Sequence, residues 1–320
     1  MSRETLERQQ VPLYLLAVLV ACMAGLLAPE HAASLQMLIT PAIAVLMYTM
    51  FLQIPFLTLR EALIDRRFMA ALLVANFVLI PLLVWLLTRP LASHPALLIG
   101  ALLVLLTPCI DYVVVFTHIG KGDSRRLLAA TPILLVLQLA LLPLYLTLML
   151  GDSLAVPIAS APFIEAFLTL IVAPLVLAVL TEAAAKHSRA ASAWSHGWAW
   201  LPVPAMAAVL MLVVGAQITP IVRDIERLLP VVPIYLAFLL VAPLIGALTA
   251  RLFQLPTGTG VAVTFSASTR NSLVVLPLAM ALPAELRMLA AAAIITQTLV
   301  ELVGELIYLR AIPALIRHSQ

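Results

Sequence analysis

The stretch that decides the fold reads Leu-Thr-Pro-Cys-Ile-Asp-Tyr-Val-Val-Val-Phe-Thr-His-Ile-Gly-Lys-Gly-Asp, residues 106–123. It lies in a long apolar segment, yet Pro108, Cys109 and Asp111 follow one another closely. Pro108 lacks a backbone N–H and clashes with the preceding turn, so a helix through this stretch is predicted to break. In hydrocarbon a broken helix must turn its freed backbone groups toward protein or water, and a carboxylate there costs about 3 kcal/mol. The stretch therefore predicts a functional site at membrane depth.

A second stretch has the same character. It reads Thr-Phe-Ser-Ala-Ser-Thr-Arg-Asn-Ser-Leu-Val-Val-Leu-Pro, residues 264–277, and places Arg270 and Asn271 inside another apolar segment. Two interrupted apolar segments, one in each half of a chain, are typical of a transporter whose substrate binds where the broken helices meet.

The composition excludes a soluble domain. The chain has 320 residues, of which 64% are hydrophobic and 10% charged, and its mean hydropathy is +1.14. These values predict an all-α polytopic membrane protein. The basic residues cluster in short loops, so the basic isoelectric point does not indicate a nucleic-acid partner. Cys22 and Cys109 both lie in apolar segments, which does not indicate a disulfide framework.

Ten apolar runs are long enough to cross a bilayer, which takes about 17–25 residues. These predicted spans 1–10 are residues 11–28, 34–57, 68–88, 96–119, 126–149, 161–181, 198–217, 228–250, 258–281 and 285–309. We interpret residues 1–320 as one transporter domain with two repeats of five spans, about 11–149 and 161–309. An odd number of spans per repeat inverts the second repeat in the membrane. The interrupted spans 4 and 9 are then the fourth of each repeat.

Loop charges predict the orientation. With the N-terminus inside, thirteen of the 18 Lys and Arg residues face the cytoplasm and four face outward. The positive-inside rule therefore places both termini in the cytoplasm. The charged segment Met1–Gln10 has no small-residue cleavage site after the first apolar run, so we expect span 1 to be retained. The predicted location is the plasma (inner) membrane.

Three motifs resemble a known family. Thr107-Pro108-Cys109 with the sequence of residues 117–123 resembles the fourth helix of arsenite efflux permeases, within the bile acid:sodium symporter superfamily. Residues 265–271 resemble the ninth-helix signature of those permeases, and Leu299-Val300-Glu301 is similar to a motif in their tenth helix. The resemblance implies that spans 4 and 9 cross near the midplane. It also implies a panel of spans 1, 2, 6 and 7 that rocks against a core of spans 3–5 and 8–10.

The chain departs from the family at the ion-coupling positions. Arsenite permeases have Asn-Asn-Phe-Glu where residues 270–273 here are Arg-Asn-Ser-Leu, so the acidic residue is replaced by leucine. In the sodium-coupled branch a helix-9 glutamate and helix-4 polar groups hold sodium, and the matching positions here are Ser266, Val113 and Val114. Valine offers no oxygen to a hard cation. We therefore expect transport to be independent of sodium.

The candidate substrate-binding residues lie in the two interrupted stretches. They are Thr107, Pro108, Cys109, Asp111, Arg270 and Asn271. The Cys109 thiolate suits trivalent arsenic or antimony, while the alternative is a small buried apolar side chain. Asp111 and Arg270 are predicted to pair, either as a site for substrate or protons or as a structural salt bridge across the two broken spans.

Span 10 carries two acidic residues on one helix face, Glu301 and Glu305. Glu301 lies deeper and is, with Asp111, a candidate proton carrier, although it could also be a hydrogen-bonded structural acid. Glu305 is closer to the cytoplasmic end and is expected to be solvated. The candidate cavity-lining residues are Asn76, Gln138, Ser268, Thr269, Ser272 and Gln297. Their alternative role is to hydrogen-bond between helices.

The predicted function is secondary active transport, resembling arsenite or antimonite efflux and coupled to protons. One alternative is an organic-anion carrier of the bile acid symporter type, with Arg270 as the anion anchor. Another is a membrane sensor or scaffold that transports nothing. The expected partners are a small anionic or metalloid substrate and the lipid bilayer. The sequence has no Gly-rich nucleotide loop, no metal-spaced His cluster and no Ser/His/Asp set in loops, so we predict no enzyme activity, cofactor or metal.

Overall fold

The computed structural model describes residues 9–28, 35–53, 65–110, 112–150, 165, 168–198, 200–223 and 225–317. Every regular element in this part of the chain is a helix. In chain order the helices are α1 (Gln10–Leu27), α2 (Ile39–Phe51), α3 (Arg66–Leu91), α4 (Pro95–Leu105), α5 (Tyr112–Ile119), α6 (Ser124–Leu150), α7 (168–185), α8 (Arg189–Trp198), α9 (Pro202–Arg223), α10 (Ile225–Leu252), α11 (Thr257–Ser268), α12 (Ser272–Met280) and α13 (Ala284–Arg317). The predicted all-α class is confirmed.

Apolar length identifies the helices that can cross a membrane. Among the described residues α3, α6 and α10 qualify singly, and α8 with the first part of α9 qualifies as one bent span. Four helices are apolar but shorter, namely Pro12–Leu27, Ile39–Phe51, Pro95–Leu105 and Ala173–Ala185. The protein is therefore an α-helical membrane protein, whereas the count of ten spans stays a prediction.

Prolines within these helices leave carbonyl oxygens without their helical donors, because proline has no N–H. The bilayer core holds no water, so another protein group must donate instead. At three prolines a hydroxyl group donates to the carbonyl four residues earlier. Tyr145 donates to Phe77 O before Pro81, Thr131 to Leu128 O before Pro132, and Tyr308 to Leu239 O before Pro243. The Pro81 site also coincides with a π-helical turn, Ala75–Leu79, which contains Asn76.

The chain divides into two compact units. Apart from element ends, the first contains α1, α2, α7, α8 and α9, and the second contains α3–α6 and α10–α13. These sets coincide with spans 1, 2, 6 and 7 and with spans 3–5 and 8–10, the grouping that the resemblance implies.

The first unit is held together by small residues and hydroxyl groups. A Cβ atom on Gly25 of α1 would lie 2.3 Å from the Gly215 carbonyl oxygen of α9, so the two backbones approach as closely as glycine permits. Thr219 donates to the Gly25 carbonyl at 2.9 Å. Elsewhere in the unit, the Tyr48 hydroxyl of α2 accepts from Trp194 Nε1 at 3.0 Å.

The second unit brings both interrupted spans together in antiparallel directions. The backbone N–H of Asp123, after α5, donates to the Gly258 carbonyl at the start of α11 at 2.8 Å. The end of one broken span therefore lies beside the beginning of the other. At the start of α6, Arg126 lies 3.1 Å from Asp123 and 3.8 Å from Asp65, the residue that precedes α3. This side of the second unit is the one that loop charges predict to be cytoplasmic.

Candidate functional site

The breaks in the two spans lie directly against each other. Pro108, between α4 and α5, and Arg270, between α11 and α12, form an isolated antiparallel bridge. On either side of it Cys109 N donates to Thr269 O at 3.0 Å, and Asn271 N donates to Thr107 O at 2.8 Å. The predicted breaks in residues 106–123 and 264–277 are therefore present and lie in contact, whereas it stays a prediction that each of these helix pairs crosses the membrane as one span.

The polar chemistry of the described chain is concentrated at this crossing. Its buried charged side chains are Arg270, Glu301 and Glu305, which are 0%, 2% and 0% exposed. All three belong to the second unit. Because an unpaired charge in hydrocarbon is costly, the contacts of these groups decide what the site can do.

The break in span 9 begins where two backbone N–H groups leave the helix. Arg270 N donates to Glu301 Oε2 at 2.9 Å instead of to a carbonyl of α11. Asn271 N donates across the crossing to Thr107 O. The last turn of α11 is therefore left with carbonyl oxygens that need other donors.

The Arg270 side chain folds back to supply those donors. Its Nη2 atom lies 2.6 Å from Ser266 O and 2.8 Å from Ala267 O, the carbonyls four and three residues earlier. The same Nη2 lies 2.8 Å from Asn76 Oδ1 of α3. Asn76 Nδ2 in turn donates to Ser266 Oγ at 3.0 Å. Arg270 thus caps the helix that it interrupts and ties it to α3.

Glu301 of α13 lies under the crossing and receives three donors. The Tyr112 hydroxyl lies 2.5 Å from Oε1, and Oε2 accepts from Arg270 N and from Gln297 Nε2, the latter at 2.5 Å. The Tyr112 hydroxyl also lies 3.0 Å from Arg270 O. These contacts bring Glu301 to the crossing, and its role as a proton carrier stays a prediction.

The expectation that Glu305 is solvated is wrong. Glu305 is fully buried, and its Oε1 lies 2.6 Å from the Thr269 hydroxyl, in the break of span 9. Helix α13 continues to Arg317, several residues beyond the predicted end of span 10. Glu305 therefore lies well inside a helix rather than at its end. The site contains two buried carboxyl groups, one helical turn apart on α13.

Asp111 lies outside the described residues, so its predicted pairing with Arg270 remains a prediction. Thr107 Oγ1 caps α4 by donating toward Leu103 O at 3.0 Å. Cys109 is completely buried beside the bridge. Thr107 and Cys109 therefore both lie at the crossing.

The predicted cavity-lining residues separate into two groups. Asn76, Thr269 and Gln297 contact the buried charged groups, as described above. Ser268 donates to Thr264 O within α11, at 2.7 Å. Gln138 of α6 is buried, and neither end of its amide has a hydrogen-bond partner among the described residues. Lining of a cavity stays a prediction for all of them and for Ser272.

Two residues that contact the buried charged groups were not predicted from the sequence. Tyr112 connects Glu301 to the Arg270 carbonyl, and it directly follows the polar residues of the first stretch, where a hydroxyl in an apolar run was a usable signal. Phe238 of α10 lies with its ring 5.6 Å from Arg270 Cζ. A single phenylalanine in an apolar helix gave no signal of that contact.

Several polar atoms at the crossing have no hydrogen-bond partner within the described part of the chain. They are Arg270 Nε and Nη1, Asn271 Nδ2, Ser272 Oγ, Gln297 Oε1 and Glu305 Oε2. Four of these six atoms, those of Arg270, Asn271 and Ser272, can donate a hydrogen bond. Buried donors without partners at one place suit an anionic or strongly polar ligand. The described residues contain no group of three or more His, Cys, Asp or Glu side chains placed to hold a metal ion.

A sequence model of the Sodium Bile acid symporter family matches residues 40–224, which is more than half of the chain. The chain belongs to this family. The Sodium Bile acid symporter family consists of membrane transporters rather than enzymes, and this protein is a membrane transporter of the bile acid symporter type. The matched residues include the first interrupted stretch, whereas Arg270 and Glu301 lie beyond them. No curated protein sequence matches the chain.

Proposed function

We propose that this member of the Sodium Bile acid symporter family is a proton-coupled carrier of an organic anion. Arg270 is the anion anchor at the crossing, and Glu301 and Glu305 are the groups that exchange protons. An organic anion suits the crossing better than arsenite does, because the described residues there offer four donor atoms without partners and a single thiol, that of Cys109.

The observation that carries the proton coupling is a count of hydrogen atoms. The Thr269 hydroxyl lies 2.6 Å from Glu305 Oε1 and 2.8 Å from Phe265 O. The Tyr112 hydroxyl likewise lies between a carboxyl oxygen of Glu301 and the Arg270 carbonyl. A hydroxyl has only one hydrogen, so it cannot donate fully to both neighbours. A proton on each carboxyl group supplies the missing hydrogen.

Such protons can be exchanged because each carboxyl group is linked to a broken span. Glu301 accepts from the backbone of Arg270, and Glu305 contacts Thr269, the residue immediately before it. A change in the protonation of either acid alters the hydrogen bonds that hold the break in place. Movement of the crossing and transfer of protons are thereby coupled.

Arg270 supports an anionic substrate. The guanidinium uses Nη2 for its structural contacts, while Nε and Nη1 have no described partner. Asn271 Nδ2 and Ser272 Oγ follow directly in the same break. An anion that reaches these groups would gain charge-assisted hydrogen bonds in a site of low dielectric constant.

The test is uptake into proteoliposomes with radiolabelled taurocholate as the probe anion. We expect a pH gradient to drive uptake, and Glu301→Gln to lower the pH-driven rate by about tenfold or more, since it removes the exchangeable proton. The matched control is Glu285→Gln, which changes an exposed acid on the same helix. Equal pH-driven uptake in Glu301→Gln and wild type would refute the coupling. Absence of taurocholate binding and uptake would refute this substrate class.

A second candidate, arsenite or antimonite efflux, is favoured by one observation. The Cys109 thiol is completely buried beside the bridge of the broken spans, at the position where the arsenite-permease motif has its cysteine. The test is metalloid resistance in a sensitive host. Cys109→Ser should abolish resistance at equal expression, and Cys22→Ser should leave it unchanged. Resistance that survives Cys109→Ser, or that never appears, leaves only the anion carrier.

A further inference from the structure

We infer that the guanidinium of Arg270 permanently occupies a cage for a monovalent cation, and that removing it exposes a binding site for dissolved sodium. The cage consists of Ser266 O, Ala267 O and Asn76 Oδ1 around the Nη2 atom. Arg270 would thus act as a tethered cation, which makes the protein independent of a dissolved one. The inference goes beyond the proposed anion transport, because it concerns the inner edge of the guanidinium.

The number of ligands distinguishes this arrangement from ordinary hydrogen bonding. Nη2 carries two hydrogen atoms. Three oxygen atoms nevertheless surround it at 2.6, 2.8 and 2.8 Å. Two hydrogens are therefore shared among three oxygens, and the positive charge of the guanidinium attracts all three. Several oxygens crowded around one charged centre form a coordination shell, whereas a helix cap needs only one donor for each carbonyl.

The chemistry of the shell suits a hard monovalent cation. Two of its members are backbone carbonyls at the carboxyl end of α11, where the helix dipole favours positive charge. The third is a side-chain amide oxygen, and amide and carbonyl oxygens are the ligands that hard cations prefer. None of these three described oxygens belongs to a carboxylate, so they do not call for a divalent ion.

The surroundings keep the cage occupied. Arg270 is fully buried, and the Phe238 ring lies 5.6 Å from Cζ, as in a cation–π contact. Asn76 is also completely buried, and its Nδ2 atom donates to Leu72 O and Ser266 Oγ. Its Oδ1 atom is therefore fixed toward Nη2. Without a cation the three oxygens would lie buried with no partner, which is unfavourable.

The experiment measures the thermal stability of the full-length protein in nanodiscs, with no substrate and no pH gradient. Wild type should melt at the same temperature in sodium chloride and in choline chloride at equal ionic strength. Arg270→Ala should melt lower in choline chloride, and sodium at about ten times its Kd should raise its midpoint by roughly 3 °C. The double variant Arg270→Ala/Asn76→Ala, which lacks the amide oxygen, should lose most of this sodium response.

A second variant covers the case in which Arg270→Ala folds poorly. Arg270→Lys keeps a tethered cation, so it should be equally stable in both salts. A sodium response in wild type or in Arg270→Lys overturns the inference. If Arg270→Ala is equally stable in both salts, the inference is also overturned. The same holds if Arg270→Ala cannot be recovered folded in either salt, because sodium should occupy the empty cage and restore the fold. Each result is obtained without any flux, so it is separate from a failure of taurocholate transport.

Discussion

Position 270 shows how a single residue type can decide the chemistry of a broken helix. The break diverts the backbone N–H groups of Arg270 and Asn271 to Glu301 and Thr107, so the last carbonyls of α11 must be satisfied otherwise. Only a long side chain with several donors can both fold back onto those carbonyls and reach Asn76. The planar guanidinium keeps further N–H groups on other edges, which a lysine ammonium does not. One side chain thereby serves the helix end and offers donors to a ligand.

At the same scale, Tyr112 should be needed for coupling as well as for stability. Tyr112→Phe removes the hydroxyl between Glu301 and the Arg270 carbonyl, and loss of a buried hydrogen bond costs about 1–3 kcal/mol. We expect a lower melting temperature and a several-fold loss of pH-driven uptake. Both are measured on the same preparation.

Tyr308→Phe is the matched control for that prediction. It also removes a tyrosine hydroxyl on a helix of the second unit, but among the described residues this hydroxyl hydrogen-bonds to Leu239 O rather than to a carboxyl group. The control should lose stability and keep its dependence on the pH gradient. If the two variants lose pH-driven uptake equally, Tyr112 has only a structural role.

At the scale of elements, the sequence predicted the two breaks and missed the depth of the acids. Proline and polar residues inside apolar runs are local signals, so the breaks of spans 4 and 9 could be read directly at Pro108 and Arg270. The length of α13 is not a local signal, because a charged terminal turn can belong to the helix or to solvent. Glu305 was therefore assigned to the solvent although the helix carries it into the core.

The contacts between elements could not be read from the sequence either. Asn76 was predicted to line a cavity or to hydrogen-bond between helices, without a named partner, since nothing local shows which face of a helix meets which neighbour. Asn76 lies in the π-helical turn Ala75–Leu79 and contacts Ser266 and Arg270. Polar residues in membrane helices thus indicate that a site exists, but they do not indicate which side chains contact each other in it.

A close approach of two helices in the second unit gives a prediction at this scale. A Cβ atom on Gly246 of α10 would lie 2.7 Å from Thr264 Cα of α11, a backbone atom that cannot move alone. Gly246→Ala should therefore push α11 away and destabilise the protein by about 1–3 kcal/mol. Because α11 carries the break, uptake should fall too.

Gly197 offers the control, because a Cβ atom there would have no neighbour within 4 Å in the part of the chain that the structure describes. Gly197→Ala should be neutral or should stabilise α8 by up to about 1 kcal/mol, the usual gain in helix propensity. Melting temperatures in nanodiscs compare the two variants. A Gly246→Ala variant as stable as Gly197→Ala would show that α10 and α11 are not packed this closely.

At the scale of the whole molecule, contacts and charge point to the same side of the membrane. The loop after α5 contacts the start of α11 through Asp123 and Gly258, and Arg126 lies near Asp65 at the start of α3. These loops are rich in Lys and Arg, which the positive-inside rule places in the cytoplasm. The same contacts make the two broken spans antiparallel, as an inverted repeat requires. Charge could predict the side because it is counted loop by loop, without knowledge of the packing.

Labelling of single cysteines tests this topology in a cysteine-free background. Exposed positions are chosen at both ends of the two broken spans: Ser93 and Arg125 flank span 4, and Pro256 and Glu285 flank span 9. If both spans cross in opposite directions, a membrane-impermeant maleimide should label Ser93→Cys and Glu285→Cys in spheroplasts. Arg125→Cys and Pro256→Cys should react only in inside-out vesicles. If Ser93→Cys and Arg125→Cys are labelled from the same side, span 4 does not cross the membrane. If Arg125→Cys and Pro256→Cys are labelled from opposite sides, the hydrogen bond between Asp123 and Gly258 is contradicted.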